Sequence, residues 1–174
     1  MTATKKTAAK KTTARKASAD AIKLLTEDHK EVKALFKQYE KLAKDEDSDD
    51  EEKQQIAQQI CTQLTVHAQV EEELFYPAAR EVLEEADLVD EADVEHATVK
   101  ELVGQIESSS PAEDDHYDAR VKVLGEYVDH HVKEEEGELF PKLKKTDLDL
   151  EALGEEIAAR KEELLAELGE TAEA

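Results

Sequence analysis

His67-Ala68-Gln69-Val70-Glu71-Glu72-Glu73-Leu74-Phe75-Tyr76-Pro77 and His131-Val132-Lys133-Glu134-Glu135-Glu136-Gly137-Glu138-Leu139-Phe140-Pro141 follow one pattern. In each, a glutamate stands four residues after the histidine and a proline ten residues after it. Residues four apart on an α-helix share a face, so each segment aims an imidazole and a carboxylate at one spot. A single histidine precedes each segment: His29 lies 38 residues before His67, and His96 lies 35 before His131. The chain thus reads as two helical hairpins, each with a lone histidine on its first helix and a His-x-x-x-Glu pair on its second.

Apolar residues stepping by three and four carry these positions on the inner faces of four helices. The first is expected over about 19–44, capped by Ser18 or Asp20, with the stripe Ile22, Leu25, His29, Val32, Phe36, Tyr39 and Ala43. The second, about 50–76, carries Ile56, Ile60, Leu64, His67, Glu71 and Leu74, and Pro77 ends or kinks it. The third starts at Asp87 or Glu91 and runs to about 107 through Ala92, His96, Val99, Val103 and Ile106. Ser108-Ser109-Ser110-Pro111 is a loop. The fourth, about 112–140, carries Val121, Leu124, Val128, His131, Glu135 and Leu139, and Pro141 closes it. Long amphipathic helices joined by short turns predict an all-α fold, an antiparallel up-down four-helix bundle over residues 19–144. Residues 145–174 add an amphipathic helix, expected over about 148–168, packed outside the bundle or against a partner.

Charge is distributed unevenly. Residues 1–18 are Lys-, Ala- and Thr-rich with almost no large apolar side chain, and they read as a disordered basic tail. Six of the 23 bases and none of the 45 acids precede Asp20, so the remaining chain carries a net charge of −28. That body repels nucleic acid and anionic membranes, whereas residues 1–17 would attract nucleic acid without sequence choice. No apolar run is long enough to span a bilayer, and the basic N-terminus lacks the apolar core of a secretory signal. Cys61 is the sole cysteine, so no internal disulfide forms, and a cytoplasmic location is expected.

Four stripe histidines on four helices, two of them with Glu at +4, point to metal. One histidine on an apolar face is ordinarily a satisfied core residue; this set is hard to produce by chance. Buried carboxylates without partners would cost several kcal/mol each, and cations are the simplest compensation. Two bridging carboxylates with two imidazoles on each side describe a dinuclear site formed by His29, His67, Glu71, His96, His131 and Glu135. Imidazole with carboxylate suits iron and would accept zinc or manganese. His130 competes with His131, because Glu134 also stands at +4 from it; position 131 continues the stripe and matches the proline spacing. His116 reads as a surface residue, Cys61 as a buried thiol, and Glu72 and Glu134 as solvated or supporting acids.

Through Asp28-His29-Lys30-Glu31-Val32, the two long segments and Glu95-His96, residues 20–143 resemble the haemerythrin-like, or HHE cation-binding, family. The resemblance implies a four-helix bundle with an oxo- or hydroxo-bridged di-iron centre. It makes the four histidines terminal ligands and Glu71 and Glu135 the bridges. Oxygen-carrying members have a second histidine one turn after the third-helix ligand; here that position is Lys100. Oxygen storage is thereby disfavoured against binding or sensing of O2, NO or peroxide. The alternatives are a catalase- or peroxidase-like enzyme drawing acid–base help from Tyr39, Tyr127 or Glu72, and an iron store or metal-free interaction bundle. Ferritin-type chemistry lacks its repeated Glu-x-x-His.

Overall fold

The computed structural model describes residues 20–45 and 47–172; the tail expected over residues 1–18 lies outside them. The described chain is helical, with no strand among its residues. Helix α1 spans Ala21–Lys44, with the Asp20 side chain accepting from the Lys23 backbone N–H at its start and Lys41 and Lys44 in its last turn. Helix α2, Asp50–Val70, is capped by Asp49 and carries Asp50, Glu51 and Glu52 in its first turn, where the helix dipole favours acids. A π-helical stretch, Glu71–Phe75, joins α2 to α3, Tyr76–Val82. Helix α4 covers Asp87–Glu107. Helix α5, Tyr117–Glu134, runs through a second π-helical stretch, Glu135–Leu139, into the short α6, Phe140–Leu143. Helix α7 covers Leu150–Ala172.

Helix α1 packs on α2 and α5, and α4 packs on α5 and α2, which closes a four-helix ring. Two boundary expectations are corrected. Pro141 does not close the fourth long helix, which continues to Leu143. Pro77 sits inside a helical run reaching Val82, in keeping with a proline that kinks rather than ends its helix. A proline in a continuous α-helix removes one bond and clashes with the carbonyl four residues back. Here the π-turn just before each proline shifts the bonding to i→i+5, with Tyr76 N–H donating to Glu71 O and Phe140 N–H to Glu135 O. The fourth helix begins at Tyr117 rather than Ala112. After Pro111 the chain makes turns in which the Ser110 carbonyl accepts from Glu113 and Asp114, and the Asp114 side chain accepts from His116 N–H.

The buried apolar residues form two clusters. One holds Leu25, Val70, Phe75, Tyr76, Ala92, Leu139 and Phe140. The other holds Val32, Tyr39, Ile60, Leu64, Val99, Leu124 and Val128. Along each of the four long helices, the predicted site residues fall between a member of one cluster and a member of the other. The core is therefore two apolar halves with a polar layer between them. Of the α1 stripe, Ala43 is exposed and Phe36 only half-buried, towards the C-terminal end of the helix.

Helix α7 packs along α1 and α2 and adds Leu153, Ile157 and Leu164 to the first cluster. Its Arg160 pairs with Glu73 at 2.7 Å, and Lys161 pairs with Asp28. No helix among the described residues is long and apolar enough to cross a membrane. Because Ile157 is fully buried, Ile157→Ala should cost about 2–4 kcal/mol of stability, read as a lower denaturant midpoint. Leu165→Ala on the exposed side of α7 should change stability by less than about 0.5 kcal/mol. Equal midpoints for the two variants would mean that α7 is not part of the cooperative core.

Candidate metal centre

The structure brings His29, His67, Glu71, His96, His131 and Glu135 together in the polar layer, all buried. Their inward atoms converge. The Nε2 atoms of His29 and His67 lie 3.2 Å apart, as do those of His96 and His131. Glu71 spans the two pairs, with Oε1 3.2 Å from His67 Nε2 and Oε2 3.4 Å from His96 Nε2. Glu135 Oε2 lies 3.3 Å from His29 Nε2 and 3.5 Å from His131 Nε2. His29, His67, Glu71 and Glu135 form one group able to hold a cation, and Glu71, His96 and His131 form another. The two groups share Glu71.

The outer nitrogen of each ring fixes which face points inward. His29 Nδ1 meets Glu136 at 2.8 Å, His67 Nδ1 meets Asp28 at 3.3 Å, His96 Nδ1 meets Glu72 at 3.0 Å and His131 Nδ1 meets Glu95 at 2.7 Å. A carboxylate only accepts, so each Nδ1–H is the donor, and in the neutral ring each Nε2 is left as a lone pair facing the layer's centre. Four such lone pairs and two carboxylates converging in a buried space require positive charge. Glu71 Oε1 and Glu135 Oε2 have no hydrogen-bond donor, which fits ligation of a cation and not a satisfied polar network. The electrostatics agree. Burial opposes charge on His67, but the Glu71 and Asp28 carboxylates outweigh it and lift its pKa to about 10. Burial likewise works against ionised Glu71, yet His67 and His96 hold its carboxyl well below the usual range.

The arrangement has internal two-fold pattern. The acid just before each lone histidine (Asp28, Glu95) supports the histidine of the same hairpin's pair. The acid just after each inner glutamate (Glu72, Glu136) supports the lone histidine of the other hairpin. Tyr76 breaks the pattern. It lies one π-turn beyond Glu71, and its hydroxyl is 3.0 Å from Glu135 Oε1, 3.4 Å from Glu71 Oε2 and 3.2 Å from His96 Nε2. Burial first, then Glu71 and Glu135, push its pKa strongly upward, so it stays a protonated donor. Phe140 takes the matching place in the other half and stacks on His29, with ring centroids 5.9 Å apart.

Other candidates resolve by position. His130 is 63% exposed and faces Glu95 and Glu134, whereas His131 points into the layer. His116 is exposed. Cys61 is buried in the second apolar cluster, with burial and Glu107 raising its thiol to about 12. Tyr39 and Tyr127 do not reach the site: Tyr39 donates to Asp118 at 2.6 Å, and Tyr127 faces solvent. Lys100 is half-exposed and pairs with Glu72, and Val99 holds the inward position one turn past His96. A cavity of about 130 Å³ adjoins all four histidines, walled by Val32, Leu64, Val99, Val128 and Val132, with Gln63, Asp28, Lys161 and Leu165 along its side.

A polar layer of this make-up inside a helical ring defines a cation-binding bundle. The family model for the Hemerythrin HHE cation binding domain matches residues 20–143, and the chain belongs to that family. The crystal structure of a Hemerythrin HHE cation binding domain-containing protein from Mycobacterium kansasii, a homologue of Rv2633c, superposes with a TM-score of 0.66 at 26% identity, covering 84% of this chain and 87% of that one. A DNA nickase of Nostoc sp. is 35% identical over 113 residues, which are 65% of this chain and only 30% of that protein's length.

Asp28→Asn and Glu136→Gln should each weaken divalent-cation binding by about 10- to 100-fold, measured by competition with a chromogenic chelator, while helical circular dichroism stays unchanged. Affinities within twofold of the parent would show that these acids do not set the histidines' orientation.

Proposed function

We propose that this chain holds two iron ions in its polar layer and binds a small oxygen-type molecule (O2, NO or peroxide) in the adjoining cavity. His29, His67, His96 and His131 would be terminal ligands through Nε2, and Glu71 and Glu135 the bridging ones. The observation that carries this reading is Glu71, whose two oxygens face imidazoles of two different cation-competent groups. The donor set suits iron and would also take zinc or manganese. Iron, when bound, supplies redox chemistry and affinity for diatomic and peroxide oxygen. The chain's own residues do the rest. The valine walls admit a small neutral ligand and exclude bulk water, which strengthens every electrostatic contact within.

Tyr76 favours a second reading, an enzyme that consumes peroxide. Its hydroxyl is a buried donor inside the layer and can hydrogen-bond to an oxygen atom placed there. Disproportionation needs no outside reductant: one peroxide is oxidised to O2 while another is reduced to water. The chain from Lys161 to Asp28 to His67 links the layer to the half-exposed face of α7 and offers a path for protons. The relative named for DNA nicking, with the bases at Lys5–Lys16, supports nucleic-acid contact by the tail; identical DNA retardation at low salt with and without residues 1–17 would remove that contact.

Protein purified without chelator should contain about two irons per chain, matching the two donor groups, and show oxo-to-iron charge-transfer absorption. His67→Ala should lose iron; a colourless parent, or full iron in the variant, refutes the centre. On added peroxide, Tyr76→Phe should keep its iron but evolve O2 about 10- to 100-fold more slowly, the worth of a hydrogen bond to a charged group. Absence of O2 evolution from the parent leaves ligand binding as the function.

A further inference from the structure

Helix α7 packs on both α1 and α2 and borders the cavity that adjoins the histidines. Its two edges differ. On the α1 edge the cavity is bordered by Asp28, Glu31 and Lys161, and the Lys161–Asp28 ion pair ties the two helices together. On the α2 edge it is bordered by Gln63 and Leu165, neither of which carries charge. The same two residues also line an open surface groove of about 550 Å³, together with Gln55, Gln58, Gln59 and Thr62. Gln63 and Leu165 thus stand where groove and cavity meet, and Leu165 is 48% exposed, so that junction is open to solvent on its outer side.

The groove is chemically unlike the rest of the surface. Charged residues are 39% of the sequence, yet none lines the groove. Gln55, Gln59, Thr62 and Gln63 follow helical steps along α2, and the next residue on that face is His67, four positions past Gln63. A row of uncharged polar side chains therefore runs from the surface to the metal layer. Amides donate and accept hydrogen bonds and draw in neither sign of ion. A neutral molecule able to do both exchanges its bonds to water for bonds to the amides with little net change in free energy. Gln63 Oε1 is buried and has no hydrogen-bond donor among the described residues. A molecule that brings an O–H to this side chain satisfies an acceptor that is unfavourable to leave open.

We propose that this amide row is the entry route for hydrogen peroxide, with Leu165 as the apolar edge of the passage and Gln63 as the residue that selects a peroxide O–H over O2 and NO. Hydrogen peroxide is neutral and carries two O–H donors, whereas O2 and NO carry none. All three are small beside a cavity of about 130 Å³, so size does not separate them and hydrogen bonding does. Gln63 acts as a positioning residue. It stands one turn before His67, holds the molecule at the mouth of the cavity and leaves the chemistry to the layer. The inference rests on the proposed iron centre and narrows its ligand to peroxide.

Full-length iron-loaded protein, reduced without oxygen, is mixed by stopped flow with H2O2 and, separately, with NO. Peroxide takes one electron from each of two ferrous ions as its O–O bond breaks to give two hydroxides; NO binding is read from its own absorption. Gln63→Leu, a good helix former of similar size, should slow oxidation by peroxide about 3- to 10-fold, the worth of one hydrogen bond, and leave NO binding within twofold. Leu165→Trp should more than halve both rates by filling the passage. Equal slowing of the two reactions in Gln63→Leu, or none, overturns the selection, and unchanged rates in Leu165→Trp overturn the route. NMR of the full-length protein supplied with Zn2+ separates these claims from the iron centre. Xenon should shift the Val99 and Val128 methyl signals and exchange more slowly in Leu165→Trp, and H2O2 should shift the side-chain amide signal of Gln63. With these effects present and no iron in the purified protein, the iron centre fails while route and selection stand. Equal xenon exchange in the two proteins overturns the route, and an unmoved Gln63 signal overturns the selection, whether or not iron is bound.

Discussion

Two carboxylates buried at the middle of a helical bundle, Glu71 and Glu135, are the constraint around which the rest is arranged. Ionised and alone they would cost several kcal/mol each. The chain surrounds them with four imidazoles but then places a further carboxylate behind every imidazole. Those outer acids lock the rings so that, when neutral, they turn lone pairs and not N–H groups inward. The layer therefore does not neutralise itself. Six carboxylates point at or support one space, and the cations nearby, Lys161 and Lys100, pair only with the supporting acids. Such a layer is built to be completed by positive ions. The elevated His67 pKa shows the same demand met by a proton.

The internal repeat explains how one chain assembles a two-centred layer, and its departures show where the halves differ. Each hairpin donates a lone histidine, a supporting acid beside it and a His-x-x-x-Glu-Glu run. At the residue five beyond the inner glutamate the halves part: Tyr76 brings a hydroxyl into the layer, and Phe140 brings only a ring that stacks on His29. Helix α7 adds to the asymmetry, because Lys161 reaches Asp28, the support of His67, while the corresponding support Glu95 faces His130 at the surface. One side of the layer is thus covered by a helix bearing a base, and the other opens towards acids.

The four inner faces were legible because apolar residues at steps of three and four frame each histidine, and all six inner residues fall on those stripes. The π-turns were not. An α-periodic stripe continues from Glu71 to Leu74, whereas an i→i+5 turn brings Tyr76 over Glu71 instead. Nothing in apolar periodicity marks that change; the signal was the proline six residues after each inner glutamate, which a plain α-helix tolerates poorly. The supporting acids were hidden for another reason. With 45 acids in the chain, Asp28, Glu95 and Glu136 look like ordinary solvated residues, and Glu72 reads as either a solvated or a supporting acid. Only their repeated placement, one before a lone histidine and one after an inner glutamate, sets them apart. The early start assigned to the fourth helix failed because Asp114 offers the backbone a local turn that competes with helix.

A polar layer across a small bundle weakens its core, and the two apolar clusters show how the fold tolerates it. Each half is closed by large, fully buried side chains: Phe75, Tyr76 and Phe140 on one side, Ile60, Leu124 and Tyr117 on the other. Helix α7 enlarges the first half, the one that also receives both π-turns and both prolines. The irregular backbone is therefore backed by the larger apolar cluster, and the regular helices pack through the smaller one. Apolar packing on both faces and a carboxylate on every Nδ1 hold the histidines with their inward nitrogens converging. Cations that bind the native layer and not the unfolded chain then stabilise the fold by mass action. In this bundle, metal occupancy and fold stability are two readings of the same buried charge.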